Sequence, residues 1–202
     1  MRIGLDFDNT IVSYDAIFHK VALELGVIPQ GISVNKVAVR DHLRAERSES
    51  VWTEMQGTVY GARMDEAIAY PGVTKFLGWA TDAGHELAII SHKTRHPFLG
   101  PKYDLHVSAQ KWIDAHLCLD GKPLVSPQQV YFELTKEEKL TRISRFGCDL
   151  FVDDLPEILL ADGFPTATQR VLFDPEGNHE SEMVGDPVRV RSWDELARWL
   201  RA

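Results

Sequence analysis

Residues 3–12, IGLDFDNTIV, put two carboxylates at the end of a run that otherwise reads as a buried strand. Ile3, Leu5, Phe7, Ile11 and Val12 are core residues by type; Asp6 and Asp8 are not. A buried charge is costly unless something pairs with it. Whatever fold this strand enters must therefore bring a cation to its carboxyl end.

The rest of the chain alternates helix and strand. Ile17, Val21, Ala22 and Leu25 recur at helical spacing before Gly26, which predicts a helix over 15–26. Further helices are expected over 34–47 and 50–69, the latter interrupted near Gly57 and Gly61. Between 15 and 70 no strand is expected. Pro71 suits a first helical turn, so YPGV predicts a helix start at 70–73 and Gly84 its end. HELAIIS then reads as a strand, 104–117 as a helix and QVYF at 129–132 as a strand. Thr135 with Glu138 forms a capping box, and Gly147 closes that helix. DLFVDD and RVLF are strands, and Ser192 with Glu195 opens a last helix. Residues 174–190 read as a surface loop with room for one more strand. This order predicts an α/β fold: a Rossmann-like parallel sheet with helices on both faces, and a small helical cap inserted after the first strand. The expected boundaries are 1–14 and 71–202 for the core and 15–70 for the cap.

In open parallel sheets ligands bind beyond the carboxyl ends of the strands. Asp6 and Asp8, Ser91 after LAII, and Asp153-Asp154 after LFV all fall at such ends. Residues i and i+2 share a side of a strand, so Asp6 and Asp8 can share a target. Two close acids repel and need a cation. Oxygen ligands suit magnesium, which takes one or two carboxylates and keeps several waters. An EF-hand calcium loop fails, because Ile11 and Ile17 stand where that loop needs its glycine and closing glutamate.

These residues resemble the haloacid dehalogenase (HAD) superfamily of phosphohydrolases, over nearly the whole chain. DFDNT at 6–10 matches the first motif, DxDxT; Ser91 the second; Lys139 in TKEEKL the third; and FVDD at 151–154 the fourth. The resemblance implies a magnesium-dependent phosphatase working through an aspartyl-phosphate on Asp6. Asp8 would protonate the leaving oxygen and then deprotonate the attacking water. That role separates phosphatase from dehalogenase chemistry, since a departing halide needs no proton. Asp6 and Asp154 would hold the metal by their carboxylates and Asp8 by its backbone carbonyl. Asp153 would be a near neighbour able to exchange roles with Asp154. Lys139, rather than Lys136, would serve the nucleophile. Ser91 would donate to a phosphoryl oxygen. Asn9, Thr10, His92, Lys93 and Arg95 are further candidate substrate contacts, the last three within a locally basic stretch of an acidic protein. Pro97 argues against a histidine metal site there. Among cap residues, His19, Lys20, Arg40, Tyr60 and Arg63 are candidates for specificity, with none preferred.

A formal net charge of −8 argues against a nucleic-acid polymer or an anionic membrane as main partner. Cys118 and Cys148 form no CxxC pair, and no apolar run approaches the length of a membrane span. Acids so close to the first residue leave no signal-peptide apolar region. The expectation is a cytoplasmic enzyme acting on a small phosphorylated substrate. FVDDLPE and the helical cap look somewhat like the 5'-nucleotidase branch, which makes a nucleoside monophosphate one candidate and a sugar phosphate another. A phosphomutase or phosphotransferase of the same superfamily is the first rival. A receiver-like signalling module is the second, although receivers place their acidic pair before the phosphorylated aspartate and carry no such insert.

Overall fold

A computed structural model describes residues 1–179 and 187–202. The chain runs β1 (Arg2–Leu5), β2 (Val12–Ser13), α1 (Asp15–Glu24), α2 (Lys36–Ala45) and α3 (Glu49–Gly57). A π-helical turn (Thr58–Ala62) and a 3-10 turn (Met64–Glu66) lead to β3 (Ile68–Ala69), which pairs with β2. Then come α4 (Val73–Asp82), β4 (Glu86–His92), α5 (Leu105–His116) and a small hairpin, β5 (Cys118–Leu119) with β6 (Lys122–Pro123). The chain closes with β7 (Val130–Glu133), α6 (Lys136–Phe146), β8 (Leu150–Asp153), α7 (Pro156–Leu159), β9 (Gln169–Phe173), β10 (Val188–Val190) and α8 (Trp193–Arg201).

Among the described residues six strands form one parallel sheet in the order β10-β9-β8-β1-β4-β7. The fold class is thus the expected α/β one. Successive residues of each strand face opposite sides. On one face Ala88, Ile90, Phe151 and Leu172 pack with Leu140 and Ile143 of α6 and with Ile158 and Leu159 of α7. On the other, Trp193 of α8 meets Phe173 of β9 at 5.5 Å and Phe76 of α4 at 5.0 Å between ring centroids. The sheet is buried on both sides, as an all-parallel sheet requires. Strand β1 sits at its centre, and a Cβ on Gly4 would come within 2.6 Å of both Cys148 and Phe151, so only glycine lets that layer close.

Contacts divide the chain into two units. One comprises 1–12, 69–93 and 117–202, and the other 13–68 and 94–116. The second unit therefore takes in α5 and the loop before it, which the sequence boundaries assign to the core. Within this unit Phe18 stacks on Trp52 at 4.7 Å, and the Lys36 ammonium lies 5.6–5.7 Å from the rings of Tyr14, Phe18 and Tyr60. Trp112 of α5 donates its indole N–H to Ala67 O at 2.8 Å.

The interruption expected near Gly57 and Gly61 is present: α3 widens at Gly57 into the π-helical turn, and Pro97 and Tyr103 press on Gly57 and Gly61, where a Cβ would approach within 2.7 and 2.5 Å. Two other expectations need correction. The two-residue β3 lies in the stretch where no strand is expected. The next helix begins at Val73 rather than at Pro71, because Tyr70 N–H is still tied to Ile11 O at 2.9 Å and Gly72 turns the chain with φ +87°. Of the loop expected at 174–190, β10 supplies the last strand, and 180–186 lie outside the described residues. Among the described residues no helix is long and apolar enough to cross a membrane.

Candidate active site

The strand order reverses at β1, which has β4 on one side and β8 on the other. This is the topological switch point where such sheets open a crevice, and Asp6 is the first residue beyond the strand. Its N–H donates to Val152 O at 2.8 Å, so the β1–β8 ladder continues one step and sets Asp6 beside Asp153. On the other flank Leu5 pairs with Ile89, which carries Ser91 to the same rim.

Lys139 arrives from α6. The Thr135 hydroxyl accepts from the Glu138 N–H and the Glu138 carboxylate accepts from the Thr135 N–H, the complete capping box read in the sequence. The helix starts directly beyond β7, and Leu140 and Ile143 fix its rotation by packing on the sheet. Lys139 is consequently buried, with Nζ 2.6 Å from Asp6 Oδ1 and 2.6 Å from Asp153 Oδ2. Lys136 pairs instead with Glu157.

Asp153 also accepts the Leu155 N–H at 2.9 Å. Asp154 Oδ1 lies 3.4 Å from the hydroxyl of buried Thr10. One carboxylate oxygen from each of Asp6, Asp153 and Asp154 falls within 4.8 Å of the others. Both members of the 153–154 pair thus contribute to the cluster. Asn9 turns the chain away from the strand with φ +57°, and its N–H closes on Val12 O at 2.9 Å. Asp8 faces a second buried lysine: Lys93 Nζ is 2.8 Å from each of its carboxylate oxygens.

Burial pushes Asp6 up from 3.8 to about 7; Lys139 opposes the rise, while Asp153 and Asp8 add to it. Lys139 is held above the ordinary lysine range: burial works against its charge, but the Asp153 and Asp6 carboxylates prevail. Formally, four carboxylates face two ammoniums, which leaves two negative charges for a divalent cation to neutralise. Ser91 Oγ is buried with no hydrogen-bond partner among the described residues. An unmade buried hydrogen bond costs about 1–3 kcal/mol, which an incoming acceptor oxygen would recover.

The locally basic stretch separates. Lys93 joins the carboxylates. His92 is exposed and bonded to Leu134 O at 3.1 Å. Arg95 belongs to the other unit and pairs with Asp104. Among the cap candidates, Lys20 pairs with Glu66, Arg63 with both Glu24 and Glu66, and Arg40 with Asp41. His19 bonds Ile32 O, and Tyr60 lies in the aromatic cluster. The contact that sequence reasoning missed is Lys93 on Asp8. Its partners are 85 positions apart, and no local pattern marks it.

No family model and no curated protein matches this sequence. Solved structures do match its fold. A protein described as a predicted phosphoglycolate phosphatase from Haemophilus somnus is 18% identical, with 98% of this chain and 96% of that one covered at a TM-score of 0.57. The putative HAD-hydrolase YfnB from Bacillus subtilis, solved bound to magnesium, is 15% identical, with 100% and 98% covered at 0.55. The L-2-haloacid dehalogenase RSc1362 is 11% identical, with 100% and 98% covered at 0.58. The chain has the fold of HAD-superfamily hydrolases along nearly its whole length.

Proposed function

We propose that this chain is a HAD-superfamily enzyme that hydrolyses a small phosphomonoester, with magnesium, through an aspartyl-phosphate on Asp6. The carrying observation is the convergence of Asp6, Asp153 and Asp154 within 4.8 Å, with buried Lys139 bridging the first two. The oxygen-only donor set and its two uncompensated negative charges fit magnesium. Asp6, Asp153 and Asp154 would hold it, with the Asp8 carbonyl as the resemblance implies. When bound, the ion supplies positive charge beside the nucleophile and the phosphoryl oxygens.

The chain's own groups then divide the reaction. An Asp6 carboxylate oxygen attacks phosphorus, and the bond from phosphorus to the leaving oxygen breaks. Asp8 gives that oxygen its proton. Lys139 and the Ser91 hydroxyl face the phosphoryl group and offset its charge. Asp8 next takes a proton from water, which attacks phosphorus and frees Asp6. Dehalogenases share the fold, but Asp8 supports the phosphatase reading, because only an alkoxide leaving group needs the proton. The helical unit is proposed as the substrate-selecting cap, with nucleoside monophosphates and sugar phosphates as leading substrate classes. A cytoplasmic setting accords with Cys118 and Cys148, which form no disulfide with each other.

The test is a panel of phosphomonoesters with magnesium, scored for phosphate release, isomer formation and phosphoryl transfer, beside 2-haloacids scored for halide. Phosphate release that disappears in Asp6→Asn is the expected result. Halide release, or isomerisation without net phosphate, would replace this reading.

A further inference from the structure

The site holds two buried lysines, and the reaction above uses one. Lys93 sits just past Ser91 at the end of β4, where its N–H bonds Glu133 O at 2.9 Å and prolongs the β4–β7 ladder. Its stem is fixed there, and its ammonium lies 5.7 Å from the Phe7 ring centre. Nζ is equidistant, at 2.8 Å, from both oxygens of Asp8. The Lys93 side chain is 3% exposed and that of Asp8 22%. The carboxylate is therefore the member of the pair that a substrate can reach, and the lysine backs it from the protein side.

A buried ammonium in contact with both oxygens of one carboxylate anchors them as a point charge and restrains the group's swing. An acid–base group needs that fixity, since its proton must travel to an oxygen at hydrogen-bond distance. From the Lys93–Asp8 geometry, and resting on the phosphatase reading above, we infer that Lys93 is a positioning residue. It orients Asp8 toward the leaving oxygen, as Lys139 serves Asp6, and is not itself a contact to the substrate phosphate.

Leaving-group chemistry tests this. p-Nitrophenolate departs readily as an anion, whereas a simple alkoxide must be protonated as it leaves. Phosphoenzyme formation is measured in single turnovers with magnesium, using p-nitrophenyl phosphate and an alkyl phosphate. Lys93→Met should slow the alkyl ester about 100-fold or more, the scale of lost acid catalysis, and the aryl ester less than about tenfold. Lys93→Arg should recover part of the alkyl rate. A crystal structure of metal-free Lys93→Met should show the Asp8 carboxylate displaced. Equal loss on both esters, a raised KM at unchanged kcat, or an unmoved Asp8 overturns the inference. If Lys93→Met loses its cooperative melt, Lys93→Gln takes its place with the same selective loss expected and the same uniform loss refuting it. A folded wild-type chain inert to both esters removes the phosphatase reading and this inference together. An active wild type with uniformly slowed variants removes the inference alone.

Discussion

Replacing Asp6 by asparagine should make the metal-free protein less sensitive to pH, in a direction fixed by where Asp6 lies. Burial, with Asp153 and Asp8 nearby, raises this carboxyl from 3.8 to about 7. The folded state then binds a proton that the unfolded chain has released. Stability from this group is complete below pH 3.8 and is lost as pH climbs toward 7. That interval spans about three pH units at about 1.36 kcal/mol each, so the loss is about 4 kcal/mol. Lys139 does not confuse the window, because its upward displacement acts only above the ordinary lysine range. For a chain of this size each kcal/mol moves the melting point by about 2–4 °C. Thermal melts in a chelating buffer from pH 4.5 to 8, run on wild type and Asp6→Asn, isolate the effect as a difference that cancels other groups. The wild type should lose roughly 10 °C relative to the variant across that range. Magnesium should restore the wild type above pH 7 and grow less effective below it, by up to about tenfold in affinity per pH unit, because the metal competes with the proton for Asp6. Parallel curves for the two proteins would show that Asp6 ionises normally and that the burial argument is wrong.

Asp8→Asn should cut phosphoenzyme formation from alkyl phosphates about 100-fold or more while leaving far-UV circular dichroism unchanged. Thr135→Ala should destabilise the protein by about 1 kcal/mol in a denaturant melt, because it opens the capping box that starts α6. Gly4→Ala should cost about 1–3 kcal/mol in the same melt, since its methyl group would collide with Cys148 and Phe151.

The sequence carried more of the core unit than of the helical one. Thr135, Glu138 and Gly147 mark both ends of α6 through local hydrogen bonds, so the place of Lys139 one turn into that helix was legible. The sheet followed from short apolar runs alternating with helical stretches. What escaped depends on contacts made at a distance. The helix after Pro71 starts late because Tyr70 is held by Ile11 O, a bond no local window contains. The break near Gly57 and Gly61 was legible from the glycines, but its π-helical form answers to Pro97 and Tyr103, far along the chain. The four-residue α7 and the Asp120-Gly121 hairpin are too short for periodicity to register. Lys93 was legible as a candidate substrate contact in a basic stretch, but its partner Asp8, 85 positions away, gave no hint of itself. The grouping of 94–116 with the insert is of the same kind, since α5 looks like any other core helix until its tryptophan meets Ala67 O.

The central place of β1 has a further consequence during synthesis. Asp6 leaves the ribosome 133 residues ahead of Lys139, a delay of about 7–27 s at 5–20 residues per second. Throughout that wait its carboxylate lacks the Lys139 ammonium that pairs with it in the folded chain. The middle of the sheet cannot close on the growing chain until β8 has emerged to zip against it. A ribosome halted anywhere before α6 would hold a nascent protein with the Asp6 carboxylate still in water.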